Sequence, residues 1–305
     1  MREDIVDVVI VGAGPAGLQA AIHAVRKKAS VLLLGRLEKS SLYRAHVENY
    51  LCIEGVKEGS ELLEIGLLQA RRFGADYLAE DVLHIEQEED MYLIRVESGK
   101  EIRARSLILA TGTSRKKLKA KGEKRLAGKG VSYCVDCDAN FFKDAKVVVV
   151  GNESAAVDGA LTLLNYASEV FLVARDLAVS DELRKRLDES AVQLQERNWV
   201  KEILGENAVE SVLLEDDTTL AVEGVFIELG AKGAIELAMN LGVLLDTETF
   251  THIETDRKQA ANLPGVYAAG DIAGHPYQMA KAVGEGCVAG MSAANYVRKL
   301  KKEEE

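Results

Sequence analysis

A chain of 305 residues is long enough for two domains of ordinary size. Its composition, 48% hydrophobic and 29% charged, is that of a globular protein and excludes a disordered chain. A net charge of −11 argues against wholesale nucleic-acid binding, and four cysteines are too few for a disulfide scaffold. No apolar run reaches the roughly 18 residues that cross a bilayer. The opening MREDIVD carries acids and has no small-residue cleavage site, so the expectation is a cytoplasmic protein with neither a membrane nor a nucleic-acid partner.

Residues 8–12 read VVIVG, a short Val/Ile run of the kind buried on both faces of a parallel sheet. A helical pattern follows with Leu18, Ala21 and Ile22, then a second strand, Val31–Leu34. At the strand–helix junction Gly12, Gly14 and Gly17 stand in Gly-x-Gly-x-x-Gly spacing, with Pro15 and Ala16 between the last two. Gly12 allows the tight turn, Gly14 lets a pyrophosphate reach bare backbone at the helix N-terminus, and Gly17 lets helix and strand pack closely. The acid expected at the end of the second strand is absent. Gly35 and Arg36 stand there, and Glu38 is the nearest candidate for a ribose hydroxyl. Residues 82–104 alternate in places and hold Ser98-Gly99, which predicts a small antiparallel insertion.

Between Arg115 and Lys129 lie eight basic residues and one acid, Glu123, a local charge of +7 in a chain otherwise at −18. The segment is either a solvated linker or a surface that steers an acidic partner. Cys134-Val-Asp-Cys137 follows. Zinc would need a second cysteine or histidine pair, and none is near, so no metal is expected and a dithiol exchanging with a partner disulfide is the reading. Asp136 and Asp138 either shuttle protons or complement a helix start. Cys52 and Cys287 are read as packing residues.

The first pattern then recurs. Residues 147–151 read VVVVG, the helical pattern shows Val157, Ala160 and Leu161, and a strand Val170–Val173 follows, each at an offset of 139 residues. The chain thus holds two nucleotide-binding-type units. The second is altered: Gly151 remains, but Glu153 and Ala156 replace the later glycines. A carboxylate where a pyrophosphate approaches costs roughly 4 kcal/mol at about 4 Å and an effective dielectric near 20, about a thousandfold in affinity. Alternatively, Glu153 serves as a built-in anion at the helix N-terminus. The charged tail Lys299–Glu305 reads as a frayed helix end.

With these residues in view, the chain resembles the low-molecular-weight thioredoxin reductase family over nearly its whole length. The resemblance rests on Gly12–Gly17, Val47-Glu48-Asn49-Tyr50, Ala110-Thr111-Gly112, Cys134-Val-Asp-Cys137-Asp138 and Tyr267-Ala-Ala-Gly270-Asp271, in this order. It implies bound FAD and a homodimer. Asn49, Met279 and Ala280 would lie near the flavin, and Gly270 and Asp271 at its phosphate and ribityl region. Cys137 would face the flavin, Cys134 would attack a thioredoxin-type disulfide, and Asp138 would act as the acid. The expected architecture is α/β, with two Rossmann-like, doubly wound, three-layer domains. The FAD domain is discontinuous, 1–114 plus 243–305, and the inserted domain, 115–242, carries the dithiol at the start of its first helix.

Three elements by which family members hold NADPH are changed together. Gly151-Asn-Glu-Ser-Ala-Ala156 replaces a Gly-rich turn, Arg175 stands without a second arginine, and Gly230-Ala-Lys-Gly233 replaces a Gly-x-x-Pro-Asn run. This looks like the subgroup that works without pyridine nucleotides, so NAD(P)H is not expected to bind productively and the donor is expected to be a ferredoxin or a reduced deazaflavin. The segment from Tyr277 to Gly286 also looks closer to that subgroup. The alternatives are an NAD(P)H-dependent reductase with an atypical nucleotide site, a dithiol oxidase, and a flavin-bound redox sensor that is not an enzyme.

Overall fold

The computed structural model describes residues 5–113, 117–230, 234–248 and 250–304. The 139-residue echo is a repeat of hydrogen-bond register. Strand Val6–Val11 pairs in parallel with Val31–Leu34, Val8 opposite Val31 and Val11 opposite Leu34. Strand Lys146–Val150 pairs in parallel with Glu169–Ala174, Val147 opposite Val170 and Val150 opposite Val173. Parallel neighbours require a crossover, which helices Pro15–Arg26 and Ser154–Leu163 provide. The central valines are fully buried in both copies, because both faces of each sheet are covered.

The chain divides into two compact units, Met1–Val96, Lys100–Ser114 and Gly233–Glu305 in one, Glu97–Gly99 and Arg115–Lys232 in the other. The return to the first unit thus comes before residue 243. The reason is helix Ala234–Leu241, whose Leu237, Ala238 and Leu241 pack in one core cluster with Val9, Ile94 and Leu109.

In the first unit the strands lie in the order Asp76–Leu78, Val31–Leu34, Val6–Val11, Glu101–Leu109, Met91–Val96 and Val82–Glu88. Strand Glu101–Leu109 changes partner along its length. Residues 101–104 pair antiparallel with Met91–Val96, and residues 107–109 pair in parallel with Val266–Ala268. The antiparallel insertion expected over 82–104 is therefore a meander built onto the parallel sheet. In the second unit Gln193–Glu196, Glu169–Ala174, Lys146–Val150, Gly224–Ile227 and Val131–Ser132 form one parallel sheet. Beside it stands a three-stranded antiparallel sheet, Val200–Leu204, Ser211–Leu214 and Thr219–Ala221, which the sequence pattern did not predict.

Three further expectations change. The tail is not frayed: helix Met279–Glu304 runs on, Lys301 binds the buried Asp7 at 2.7 Å, and Glu304 pairs with Arg105. Cys52 is exposed, at φ 70°, so it is not a packing residue; Cys287 is partly buried. A short helical turn, Glu123–Leu126, precedes the dithiol, which therefore opens the second helix of its unit. Among the described residues no helix is long and apolar enough to cross a membrane.

Helix Met279–Glu304 lies against Pro15–Arg26 at backbone contact. A Cβ on Gly286 would stand 2.2 Å from the Ala16 carbonyl oxygen, and one on Gly290 2.3 Å from that of Ala20, whereas Gly284 has nothing within 4 Å. Gly290→Ala should therefore destabilise the protein by about 1–3 kcal/mol, since backbone must move. Gly284→Ala should stabilise it by up to about 1 kcal/mol through helix propensity. Urea unfolding of the two variants measures this; equal effects would contradict the packing argument.

Candidate functional site

The two copies of the strand–turn–helix unit permit an internal comparison of which glycines the protein itself requires. A Cβ on Gly12 would stand 2.3 Å from the Ala110 carbonyl oxygen, and one on Gly17 1.8 Å from that of Gly12. One on Gly151 would stand 2.0 Å from the Glu228 carbonyl oxygen. These glycines are fixed by packing. Gly14 is not: only Ser40 Oγ, at 3.3 Å, would meet its Cβ. Its backbone, φ −81° and ψ −175°, is one any residue adopts, and Glu153 caps the second helix at the same ψ of −175°. The chain itself leaves room for a side chain at Gly14, so the bare backbone there is free to meet a pyrophosphate.

The helix amides point the same way. In the first copy Pro15 has no N–H, and Leu18 N–H is held by the Gly14 carbonyl at 3.0 Å. The amides of Ala16 and Gly17 have no acceptor among the described residues, as a phosphate site needs. In the second copy Ala155 N–H donates to the Gly230 carbonyl at 3.3 Å, and Ala156 and Val157 donate to the Glu153 carbonyl at 3.1 and 3.4 Å. Glu153 is the N-cap residue of the second helix, and its side chain makes no capping hydrogen bond. Arg175 is engaged as well: its guanidinium meets Glu215 at 2.5 Å and lies 5.3 Å from the Trp199 ring. Its backbone N–H donates to Asn152 Oδ1 at 2.9 Å. Ala231, Lys232 and Gly233 of the altered run lie outside the described residues.

Other residues expected at a dinucleotide lie at the C-terminal ends of the first unit's parallel strands, where such sheets bind ligands. Ala110 N–H bonds the Val11 carbonyl, placing Ala110-Thr111-Gly112 beside Gly12. Gly270, at φ 87°, lies against Ala16, to whose Cβ an added Cβ would come within 3.0 Å. Glu38 is exposed on the turn Leu37–Lys39 after strand Val31–Leu34. Asn49 donates to Gln278 at 3.3 Å, just before Met279 and Ala280 open the long helix.

Sequence reasoning missed a charge pair at this place. Lys281 bonds the Gly270 carbonyl at 2.9 Å, Glu285 accepts the Gly270 N–H at 2.9 Å, and the two join at 2.8 Å. Their i, i+4 spacing was legible; that they grip Gly270 was not. Burial raises the Asp271 carboxyl above the ordinary aspartate range; Lys281 and His275 oppose this and Glu285 adds to it. The residues present fit FAD: a bare-backbone turn, two amides open to phosphate, and the Asp271 carboxylate after Gly270.

The dithiol belongs to the second unit. Cys134 and Cys137 are joined as a disulfide, with Cys134 at the N-cap of helix Val135–Asp138. Cys137 N–H donates to Cys134 Sγ at 3.2 Å. Ser132, buried at the end of strand Val131–Ser132, ties the acid to the turn: its hydroxyl donates to Asp138 Oδ2 at 2.7 Å, and its oxygen accepts Cys134 N–H at 3.1 Å. Cys137 is exposed and Cys134 half-buried. Ser132 is the residue the motif did not flag. No cluster among the described residues is suited to a metal.

The basic segment is folded, not a solvated linker, over its described part; Arg115 and Lys116 lie outside it. Buried Glu123 accepts Lys119 N–H at 2.6 Å and the Tyr133 hydroxyl at 2.8 Å; burial, and then this bond to Glu123, push the tyrosine pKa up to about 12. Lys121 pairs with Glu202 at 2.8 Å, and Arg125 bonds the Gly205 carbonyl at 2.7 Å. Lys117, Lys119, Lys124 and Lys129 are exposed.

Comparison with known proteins agrees with this arrangement. The family described as "Pyridine nucleotide-disulphide oxidoreductase" matches residues 6–286. A thioredoxin reductase of Listeria innocua is 36% identical, covering 99% of this chain and 97% of its own. The atypical thioredoxin reductase TRi of Desulfovibrio vulgaris Hildenborough is 34% identical, with a TM-score of 0.84 over 96% of this chain and 98% of that one. A ferredoxin-flavin thioredoxin reductase of Clostridium acetobutylicum is 33% identical, with a TM-score of 0.68 over 97% and 98%.

Two outcomes are expected. Gly14→Glu, which transplants the residue of the second copy, should weaken FAD binding by about a thousandfold while leaving the fold intact; flavin absorbance per protein measures it, and full occupancy would refute the reading of both turns. Asp271→Asn should stabilise the flavin-free protein near neutral pH. The folded carboxyl titrates above its unfolded value, so its ionisation costs stability as pH rises through the raised range, and the gain should vanish below about pH 4. A pH-independent gain would contradict this.

Proposed function

The chain belongs to the low-molecular-weight thioredoxin reductases, among the pyridine nucleotide-disulphide oxidoreductases, and on that premise we propose that its FAD is reduced by a donor other than NADPH or NADH. It is a flavoprotein oxidoreductase whose Cys134–Cys137 pair is the redox-active disulfide. FAD, when bound, carries an electron pair between a donor and that disulfide. Gly12, Gly14, Ala16 and Gly17 hold its pyrophosphate, and Glu38 its ribose. Ala110, Thr111, Gly112, Gly270 and Asp271 border its path, and Asn49, Met279 and Ala280 lie by the flavin.

One observation carries the donor reading: the second unit consumes its own nucleotide-binding groups. The amides of Ala155 and Ala156, the counterparts of Ala16 and Gly17, go to carbonyls of the chain, and Arg175 goes to Glu215 and Trp199. A nicotinamide nucleotide would have to break these contacts and then meet Glu153. Likeness to a protein named a ferredoxin-flavin thioredoxin reductase supports a ferredoxin-type donor, with reduced deazaflavin as the small-molecule form of the same reading. The exposed lysines of 117–129 suit an acidic protein. We assign the remaining steps to this chain's own groups. Cys134 attacks a thioredoxin-type disulfide, Cys137 closes the pair, and Asp138, held by Ser132, supplies the proton to the leaving thiolate. The working form is a homodimer. A second reading, reduction by NAD(P)H at an atypical site, draws on the family's description alone.

Anaerobic stopped-flow mixing of oxidised protein with millimolar NADPH, NADH, reduced ferredoxin or reduced deazaflavin separates the two. Slow or absent flavin bleaching is expected with both nucleotides, and fast bleaching with at least one other donor. Rapid bleaching by a nucleotide at micromolar half-saturation would return the protein to the NAD(P)H-dependent group. If ferredoxin is the donor, its rate should fall steeply with salt.

A further inference from the structure

A buried carboxylate stands against the dithiol turn, and the activity as described does not use it. Glu228, following strand Gly224–Ile227, is 6% exposed, and its Oε1 accepts the N–H of Val135, the residue after Cys134, at 3.1 Å. Helix Ser154–Leu163 makes room for both. A Cβ on Gly159 would stand 3.0 Å from Val135 Cγ2 and 3.7 Å from Glu228 Cγ. Asp136 and Asp138 lie on the turn itself, helix Ser154–Leu163 carries the buried Asp158 next to Gly159, and Ala139–Phe142, which follows the turn, carries no charge before Lys143. On the other side of the balance, Cys137 N–H donates to Cys134 Sγ at 3.2 Å.

We propose that Glu228 is a positioning residue that anchors the Cys134–Cys137 turn through Val135 and, by its buried charge, makes this dithiol a stronger reductant. The proposal rests on the dithiol being redox-active and is independent of the electron donor. Two electrons break the Cys134–Cys137 bond and leave two sulfurs that take up to two protons from solvent. The Cys134 thiolate then attacks a partner disulfide and expels one partner thiolate. Cys137 attacks Cys134 and expels the second partner sulfur, so the partner gains the two electrons and the Cys134–Cys137 bond re-forms. A carboxylate in a poorly solvated place beside Cys134 destabilises its thiolate and raises its pKa. A less stable thiolate gives its electrons up more readily, just as a stabilised one makes a disulfide oxidising. The Val135 bond holds that charge in place and fixes the turn.

Glu228→Gln keeps an acceptor for Val135 and removes the charge. Two measurements on the reduced, flavin-loaded protein test it: the pH profile of Cys134 alkylation by iodoacetamide, resolved by peptide mass spectrometry, and the dithiol-to-disulfide ratio in dithiothreitol buffers from pH 5 to 9. The expected thiol pKa is lower by about one unit. Alkylation below that pKa should rise only about threefold, since a less basic thiolate is a weaker nucleophile. The ratio should shift about tenfold toward dithiol at alkaline pH, with no shift at pH 5, where both sulfurs are protonated. If Glu228→Gln fails to retain flavin, Glu228→Met, of similar length and without polar demand, carries the same expectation. Superimposable alkylation profiles, or a shift of equal size at pH 5 and pH 9, would overturn the charge role.

Discussion

Amides at the start of a crossover helix must find acceptors, and most of this protein's division of labour follows from how the chain supplies them. In the first unit a proline removes one donor, and the turn leaves the Ala16 and Gly17 amides to a phosphate. In the second, carbonyls of Gly230 and Glu153 take the Ala155 and Ala156 amides, which stand at the same two positions. The same strand register and the same N-cap ψ support both solutions, so the fold tolerates either. One copy thereby keeps two helix amides open, while the other has them taken by its own chain.

Helix Ser154–Leu163 presents Gly159 to Val135, and Glu228, whose carbonyl borders Gly151, turns its carboxylate to the Val135 amide. The residues around the altered nucleotide turn therefore support the cysteines directly. Ser132 does similar work from the strand side, binding both Asp138 and Cys134.

In the first unit the glycine contacts of helix Met279–Glu304 on Ala16 and Ala20 set the geometry of the far side of the FAD site. They bring Gly270 against Ala16, and the Lys281–Glu285 pair fixes both polar groups of the Gly270 peptide. Asp271 follows at once, its carboxyl raised by the burial this close packing imposes. The pinned tail, through Lys301 and Asp7, anchors the other end of the same helix.

Much of this was legible in the residues themselves. Short, β-branched Val/Ile runs ending in glycine read as strands buried on both faces, and a constant 139-residue offset reads as a repeat, so both cores and the first turn follow from local pattern. The Cys-x-x-Cys spacing likewise dictates that two sulfurs can meet. Contacts between residues far apart in the chain were not legible, because no local period encodes them. Nothing near Val135 announces Glu228, 93 residues on, nor does Asp7 announce Lys301, 294 residues on. The reach of the first unit into 234–242 depended on which sheet the apolar face of Ala234–Leu241 covers, and the basic segment's order on the buried Glu123. Sequence determined which chemistry the chain carries, since glycines, cysteines and their spacing act locally. Tertiary structure decided which of two equivalent turns keeps its helix amides open and which carboxylate bonds the dithiol turn, since both depend on groups brought from distant strands.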